Sequence, residues 1–460
     1  IEKLEDAINF HDFKTRASLG DVYEQMLNDL RGAGNAGEFY TPRAITAFMA
    51  DRVNPRLDRR ETVMDPACGT GGFLTAAIDH FRNQLTTQSS AEDKRAIEEL
   101  IHGIEKKQLP HLLCTTNMLL HGIDVPSQIE HRNTLGIGWN EWSANNKVDC
   151  IITNPPFGGY EDDGVGSDYP ADLRTRETAD MFMALIVKKL LKENGRAAVV
   201  LPDGFLFGDG IKGTLKKLLL RDCKLHTIIR LPKGVFAPYT TIKTNLLFFT
   251  KGATVDDGTE HFHTNTIWFY EHPYPAGYKS YSKTKPIRLE EFKPEQEWWG
   301  DEANDFADRV ENELAWKMNF KTKREQAEAA AKPHWQRAED LNNQAAALEG
   351  EASDLRKSLV GTTDAANRLK IDAQIAELRA QAEPLRLQAR DAQAAGDRIY
   401  WPIFNLDIKN PNAPEEETHD PDVLLEKYKK LLGEIEETEN QLKSELAAAL
   451  AHHFSPEAEA

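Results

Sequence analysis

The four residues Asn154-Pro155-Pro156-Phe157 constrain this chain more than any other stretch. They follow Val148-Asp149-Cys150-Ile151-Ile152-Thr153, an apolar run that reads as a buried parallel strand. They therefore stand at the carboxyl end of a strand, where open α/β sheets place their ligand crevice. The paired prolines stiffen the backbone and remove N–H donors. What remains is the Asn154 side-chain oxygen and the Pro155 carbonyl as acceptors, with Phe157 as a flat aromatic face. Such a set suits a planar group carrying an exocyclic NH₂, whose hydrogens the acceptors hold while its lone pair turns toward an electrophile. A plain strand ending in a proline turn has the same local pattern, so the upstream stretches must decide.

Upstream, Glu61-Thr62-Val63-Met64-Asp65 reads as a short strand, Pro66-Ala67-Cys68-Gly69-Thr70-Gly71-Gly72 as a glycine-rich turn, and residues 73–80 as a helix. Strand, glycine loop and helix form the first unit of a nucleotide-type fold. Asp65 at the strand end would repel a pyrophosphate and suits a cationic or amino group instead. The next strand, Ile101-His102-Gly103-Ile104-Glu105, ends in an acid placed to bind a ribose diol. A helix over 108–121 is expected to turn Leu112, Leu113 and Leu119 inward, and residues 129–135 form a further edge with Asn133 at its end. Before all of these, a helix-patterned start with Leu19, Val22, Met26 and Leu30 leads through a small-residue loop, 32–37, into Glu38-Phe39-Tyr40-Thr41-Pro42-Arg43. There Thr41 is the expected N-cap and Pro42 the first-turn residue of a helix through Ala50.

Beyond the central motif, residues 158–178 read as a polar, mobile loop beside the site. Helix 180–192, strand 196–202, helix 211–221 and strands 225–231, 245–250 and 267–270 follow. The helix at 211–221 carries Lys212, Lys216, Lys217 and Arg221, read as a solvated face, with a phosphate-facing stripe as the alternative. After Met318 the composition turns to Ala, Glu, Gln, Arg and Leu. Leu341, Ala345, Leu348, Ala352, Leu355 and Leu359, then Ile371, Ile375, Leu378, Ala382 and Leu385, alternate by fours and threes. This predicts an antiparallel helical hairpin with a coiled-coil seam, kinked at Pro384. An extended crossing over 401–412 leads to a tail helix with Leu424, Tyr428, Leu431, Ile435 and Leu442 on one stripe, expected to dock on a partner's helices.

Composition bounds the function classes. With 460 residues and 40% hydrophobic content the chain supports two or three domains with real cores. No stretch is apolar for the length of a membrane span, and no signal peptide is evident. The cysteines Cys68, Cys114, Cys150 and Cys223 lie far apart with no CxxC pair, which indicates neither zinc site nor disulfide framework and fits a reducing cytoplasm. The opening at Ile1 within a helical pattern, without Met, predicts that the native N-terminus lies upstream. A net charge of −18 is unlike an isolated DNA reader, so work on DNA would need a local basic cleft or a basic partner.

Glycine loop, diol acid and amino-holding Asn line one sheet edge in order, and with them the chain resembles the S-adenosylmethionine-dependent amino-methyltransferases. It most resembles the modification (methylation) subunits of type I restriction-modification systems. The resemblance runs from about Gly37 to Phe249. It is carried by Gly37-Glu38-Phe39-Tyr40-Thr41-Pro42-Arg43, Asp65-Pro66-Ala67-Cys68-Gly69-Thr70-Gly71-Gly72-Phe73-Leu74, Asn117-Met118-Leu119-Leu120-His121-Gly122, Asn154-Pro155-Pro156-Phe157, Leu231-Pro232-Lys233-Gly234-Val235-Phe236, and the stretch from Asp407 to Pro411. The family's N-terminal helical domain is largely missing, and the hairpin over 320–400 matches no motif of it.

The resemblance implies an α/β, Rossmann-like methyltransferase sheet with an N-terminal helical remnant (1–36) and a catalytic domain (37–318), to which the helical spacing adds a hairpin (319–400) and a docking tail (401–460). It implies transfer of a methyl group from S-adenosylmethionine to N6 of a flipped adenine in double-stranded DNA. Asn154, Pro155, Pro156 and Phe157 would be catalytic. Glu38, Phe39, Tyr40, Thr41, Pro42, Arg43, Asp65, Gly69, Thr70, Gly71, Gly72, Glu105 and Asn133 would hold the cofactor, and Phe236 would cover the base's other face. No metal is implied. The partners implied are DNA, a specificity subunit that reads the target, a second copy of this chain in a two-modification, one-specificity complex, and a restriction subunit as a further candidate. Two other readings stay open at this point: a methyltransferase for protein glutamine amides, and a non-catalytic DNA-defence scaffold.

Overall fold

Continuous apolar runs, whose successive side chains point to opposite faces, build the sheet that carries the site. In a computed structural model, the described residues are 40–255, 257–360, 364–413 and 421–453, with Leu19, Val22, Tyr23 and Met26. Those four are helical, and the Tyr23 hydroxyl donates to the Leu113 carbonyl at 3.1 Å. The rest of the expected N-terminal segment, the 32–37 loop, Glu38 and Phe39 lie outside the described residues.

The elements run α1 (Arg43–Val53), β1 (Val63–Asp65), α2 (Gly72–Asn83), α3 (Ala91–Leu100), β2 (Ile101–Glu105), α4 (Gln108–Leu120), β3 (Ile129–His131), β4 (Val148–Thr153), α5 (Thr178–Leu185), β5 (Leu191–Pro202), α6 (Ile211–Asp222), β6 (Cys223–Arg230), β7 (Thr244–Lys251), β8 (Thr266–Glu271), β9 (Ala315–Asn319), α7 (Phe320–Ser358), α8 (Ala365–Tyr400) and α9 (Pro421–His453). The sheet order is β3-β2-β1-β4-β5-β7-β6-β8-β9. Pairing is parallel from β3 through β5 and antiparallel on both sides of β7. The order reverses between β1 and β4, the switch point at which such sheets bind ligands.

Both faces are covered. In β4 and β5, Cys150, Ile152, Ala198 and Val200 pack with Phe48, Leu74, Ile78 and Met118 on one side. Ile151, Ala197, Val199 and Leu201 pack with Met181, Leu185, Leu215 and Leu219 on the other. This alternation sets the register that delivers Asn154 to the sheet edge, since a slip of one residue would exchange the faces. The helix read over 180–192 ends earlier, in a π turn over Ile186–Leu190, and β5 begins at once because Leu191 pairs with Val148.

Three expectations are corrected. In α4 the inward residues are Pro110, Cys114, Asn117 and Met118, while Leu112 and Leu119 are 59% and 42% exposed. The inner face must fit closely under the glycine loop, which smaller groups allow. In α6 the cations neither face solvent nor form a phosphate stripe. Lys212 pairs with Glu177 and Asp180, Lys217 with Glu260, and Arg221 with Asp222. Lys216 is buried and donates to the carbonyls of Leu206 at 2.6 Å and Gly208 at 2.8 Å, and burial lowers its pKa to about 8. In the hairpin of α7 and α8 the buried seam is alanine: Ala331, Ala338, Ala345 and Ala352 face Ile375, Ala382, Ala389 and Gly396 at seven-residue intervals. Small residues bring the helix axes close, and Leu341, Leu348 and Leu355 splay to the flanks, half-buried. Pro333 as well as Pro384 lies inside these helices.

The chain divides into two compact units, the first ending at Pro411. The crossing therefore belongs to the body rather than to the tail. Leu406 N donates to Leu206 O at 3.0 Å, Asp407 pairs with Arg230 at 2.6 Å, and Asn410 Nδ2 donates to Glu313 O at 2.7 Å. The second unit, taken alone, is the helix α9, whose Tyr428, Leu431, Ile435 and Leu442 are exposed. The side chain of Leu424 lies outside the described residues. No described helix is long and apolar enough to cross a membrane.

Candidate active site

The carboxyl ends of β1, β2 and β4 and the loops that follow them enclose a cavity of about 630 Å³. One end is formed by Asn154, Pro155, Pro156 and Phe157 with Phe236, Tyr239, Thr240 and Ile242; the other by Glu105, Lys106, Asn133, Thr134 and Glu161. Tyr40, Thr41, Asp65, Cys68, Gly69 and Gly72 line the wall with them.

Asn154 is held by a hydrogen bond from its Nδ2 to the Thr41 hydroxyl oxygen at 3.0 Å, across 113 residues of sequence. Thr41 is thus not a side-chain cap of α1; the helix begins at Arg43, and Ile45 N and Thr46 N donate to Pro42 O. With its nitrogen engaged, Asn154 keeps Oδ1, which is buried and has no partner among the described residues. A buried acceptor left unpaired costs about 1–3 kcal/mol, so this atom calls for a donor from a bound molecule. Phe157 lies beside Phe236 with centroids 6.3 Å apart and planes at 81°. A ring stacked on Phe157 would meet the Phe236 edge rather than its face, unlike the sandwich expected from the sequence.

The glycine loop works partly from behind the wall. Gly69 and Gly71 have φ of +54° and +86°, a region that favours glycine. A Cβ on Gly71 would lie 2.8 Å from Cys114 Sγ and 3.2 Å from Met118 Cε. Asn117 reaches the same loop, Nδ2 donating to Thr70 O at 3.2 Å. Thr70, Gly71, Pro42 and Arg43 are therefore not on the cavity wall. They shape it, and Arg43 faces Asp79 at 3.6 Å. Cys68 and Cys114, 46 residues apart, bring their Sγ atoms to 3.8 Å beneath the loop. Their hydrogen bond and burial push the Cys68 thiol well above its usual range.

Asp65 Oδ1 accepts from Thr153 Oγ1 at 2.6 Å and from Ala67 N at 3.1 Å. Burial nevertheless raises its carboxyl to about 7, with the Glu105 charge adding to the rise. Glu105 accepts from Gly69 N at 3.0 Å through Oε2 and from Lys107 N at 2.7 Å through Oε1, so it ties β2 to the glycine loop while facing the cavity.

The loop after Phe157 is anchored where mobility was expected. Tyr160 bridges to Glu177, and Thr178 Oγ1 donates to Pro156 O at 2.8 Å. Arg176 donates to Glu161 O through Nε and Nη2. This delivers Glu161, 6% exposed, to the cavity, where it meets Lys106 at 2.9 Å and Asn133 Nδ2 at 3.1 Å. Glu161 and Lys106 were missed in the sequence. Lys106 directly follows a strand end that could have flagged it, but Glu161 lies in a stretch without periodicity.

The N-6 DNA Methylase family model matches residues 14–339. The chain belongs to the N-6 DNA methylase family. It is 48% identical over 98% of its length to the methylase subunit of the type I restriction enzyme EcoEI of Escherichia coli, covering 73% of that protein. It also resembles the solved modification subunit from Vibrio vulnificus YJ016, with 43% identity and a TM-score of 0.59 over 67% of this chain and 60% of that one. A structure on the assembly and conformational transition of the type I restriction-modification system has a chain with 27% identity and a TM-score of 0.64, covering 96% of this chain and 74% of its own. This N-6 DNA methylase thus groups with the methylase subunits of type I restriction enzymes, and the match favours neither the glutamine-amide reading nor the scaffold reading.

Proposed function

We propose that the cavity holds S-adenosylmethionine and an extrahelical adenine, and that the chain methylates adenine N6 in double-stranded DNA as the modification subunit of a type I restriction-modification complex. The observation that carries this is the buried, unpartnered Oδ1 of Asn154, with its amide nitrogen held by Thr41 and Phe157 alongside. The residues fit the cofactor. Gly69, with its positive φ, allows close backbone approach, and Glu105 faces the cavity as an acceptor. Tyr40, Thr41, Gly69, Gly72, Glu105 and Asn133 would line it. Pro42, Arg43, Thr70 and Gly71 would shape that wall from behind. When bound, the cofactor supplies an electrophilic sulfonium methyl.

Asn154 accepts a hydrogen of the adenine amine and orients the nitrogen lone pair; the adjacent Pro155 carbonyl is the second acceptor. Phe157 stacks on the base, a contact worth about 1–3 kcal/mol. Catalysis is then alignment of nucleophile and methyl rather than acid–base chemistry. Sequence recognition is delegated to a specificity subunit, which fits the −18 charge, since DNA affinity comes largely from Lys and Arg on phosphates. The exposed stripe of α9 would dock there, two copies of this chain would share one specificity subunit, and the complex would work in the cytoplasm. The test is adenine methylation by the reconstituted complex. Asn154→Ala should lose about a hundredfold or more in rate while S-adenosylhomocysteine binding changes less than about threefold. Near-normal methylation by that variant would refute the reading.

A further inference from the structure

The end of the cavity away from Asn154 contains an acceptor that the sequence motifs do not include. If methyl transfer occurs at Asn154, the nucleoside part of the cofactor must extend toward Glu105, Lys106, Asn133 and Glu161. Asn133 is largely committed there. Its Oδ1 accepts from Leu135 N at 3.1 Å, and its Nδ2 donates to Glu161. Glu105 has each carboxylate oxygen on a backbone N–H. Among the described residues Glu161 Oε1 meets only the Lys106 ammonium, at 3.1 Å, and an ionised carboxylate oxygen accepts more than one hydrogen bond. Its backbone is fixed by Arg176 on both sides, N to Arg176 O at 3.0 Å and O from the guanidinium. The side chain is therefore presented to the cavity rather than left to swing.

We infer that Glu161 is a positioning residue for the cofactor, accepting the exocyclic amine of its adenine ring and so joining cofactor occupancy to the loop that follows the catalytic motif. The inference rests on the cofactor reading above. It makes a chemical demand: an amine at that ring position donates to the carboxylate, whereas an oxo group there would face it acceptor to acceptor. The site should therefore discriminate between an adenine and a hypoxanthine ring, with Lys106 and Asn133 holding the carboxylate in place.

The experiment is calorimetric binding of S-adenosylhomocysteine and its deaminated counterpart, S-inosylhomocysteine, to the full chain. The wild-type protein should prefer the adenine compound at least tenfold. Glu161→Ala should reduce that preference to less than about threefold. Glu161→Gln, nearly isosteric and guarding against misfolding, should bind both compounds with little preference, because its amide accepts from an amine and donates to an oxo group. Wild-type indifference to the ring substituent, or undiminished preference in both Glu161 variants, would overturn the inference while leaving the cofactor reading intact. Failure of the wild-type chain to bind S-adenosylhomocysteine at all would overturn both.

Discussion

Gly71→Ala is the sharpest single test of how the glycine loop is built. Gly71 sits at φ +86° and ψ 17° at the N-cap of α2. A side chain in this left-handed region costs about 1–2 kcal/mol. The added methyl would also stand 2.8 Å from Cys114 Sγ and 3.2 Å from Met118 Cε, both on the fully buried face of α4. Overpacking of this kind costs about 1–3 kcal/mol. The sum, about 2–5 kcal/mol, should appear as a lower denaturant midpoint at unchanged slope. The loop must shift to admit the methyl, so S-adenosylhomocysteine affinity should fall by about tenfold or more. Gly72→Ala is the internal control. Its Cβ would meet only Thr46 Cγ2, at 3.6 Å, and its φ is ordinary, so stability should change by less than about 1 kcal/mol. Adding Cys114→Ala to Gly71→Ala should restore part of the loss by removing the sulfur. If Gly71→Ala and Gly72→Ala have the same midpoint, the argument from φ and from the Cys114 contact fails together.

Three further outcomes are expected. The Asp65 carboxyl, raised by burial to about 7 in the folded chain against about 3.9 unfolded, contributes stability that is complete below the unfolded value and lost as pH rises through about 7. Unfolding titrations should show this as a fall of at most about 1.4 kcal/mol per pH unit, absent in Asp65→Asn; an identical pH profile in the variant would refute it. Ala338→Leu should force the hairpin seam apart and destabilise by about 1–3 kcal/mol, whereas the same change at an exposed hairpin position such as Ala366 should stay within about 0.5 kcal/mol, as denaturant unfolding would show. Removing residues from Asn412 onward should leave a folded, S-adenosylhomocysteine-binding body that no longer co-purifies with a specificity subunit; undiminished co-purification would exclude docking through α9.

What the sequence determined by itself was local. The apolar run before Asn154, the glycine turn after Asp65 and the acid ending Ile101-His102-Gly103-Ile104-Glu105 are local patterns of apolarity and of backbone chemistry, and each stands where its strand places it. Tertiary structure decided which distant groups meet at those strand ends. The amide of Asn154 finds Thr41 113 residues away, and Cys68 finds Cys114, because α1 and α4 pack over the same face of the sheet whose strand ends carry the site, an arrangement no local pattern encodes. Glu161 reaches the cavity because Arg176 closes its loop, and of the α6 lysines Lys212 and Lys217 meet acids from other elements while Lys216 turns to two backbone carbonyls. The alanine seam shows the same limit in the helices. Heptad spacing identified the hairpin, but the small residues rather than the leucines became its core, since two long helices in contact gain more by approaching closely than by burying their larger side chains.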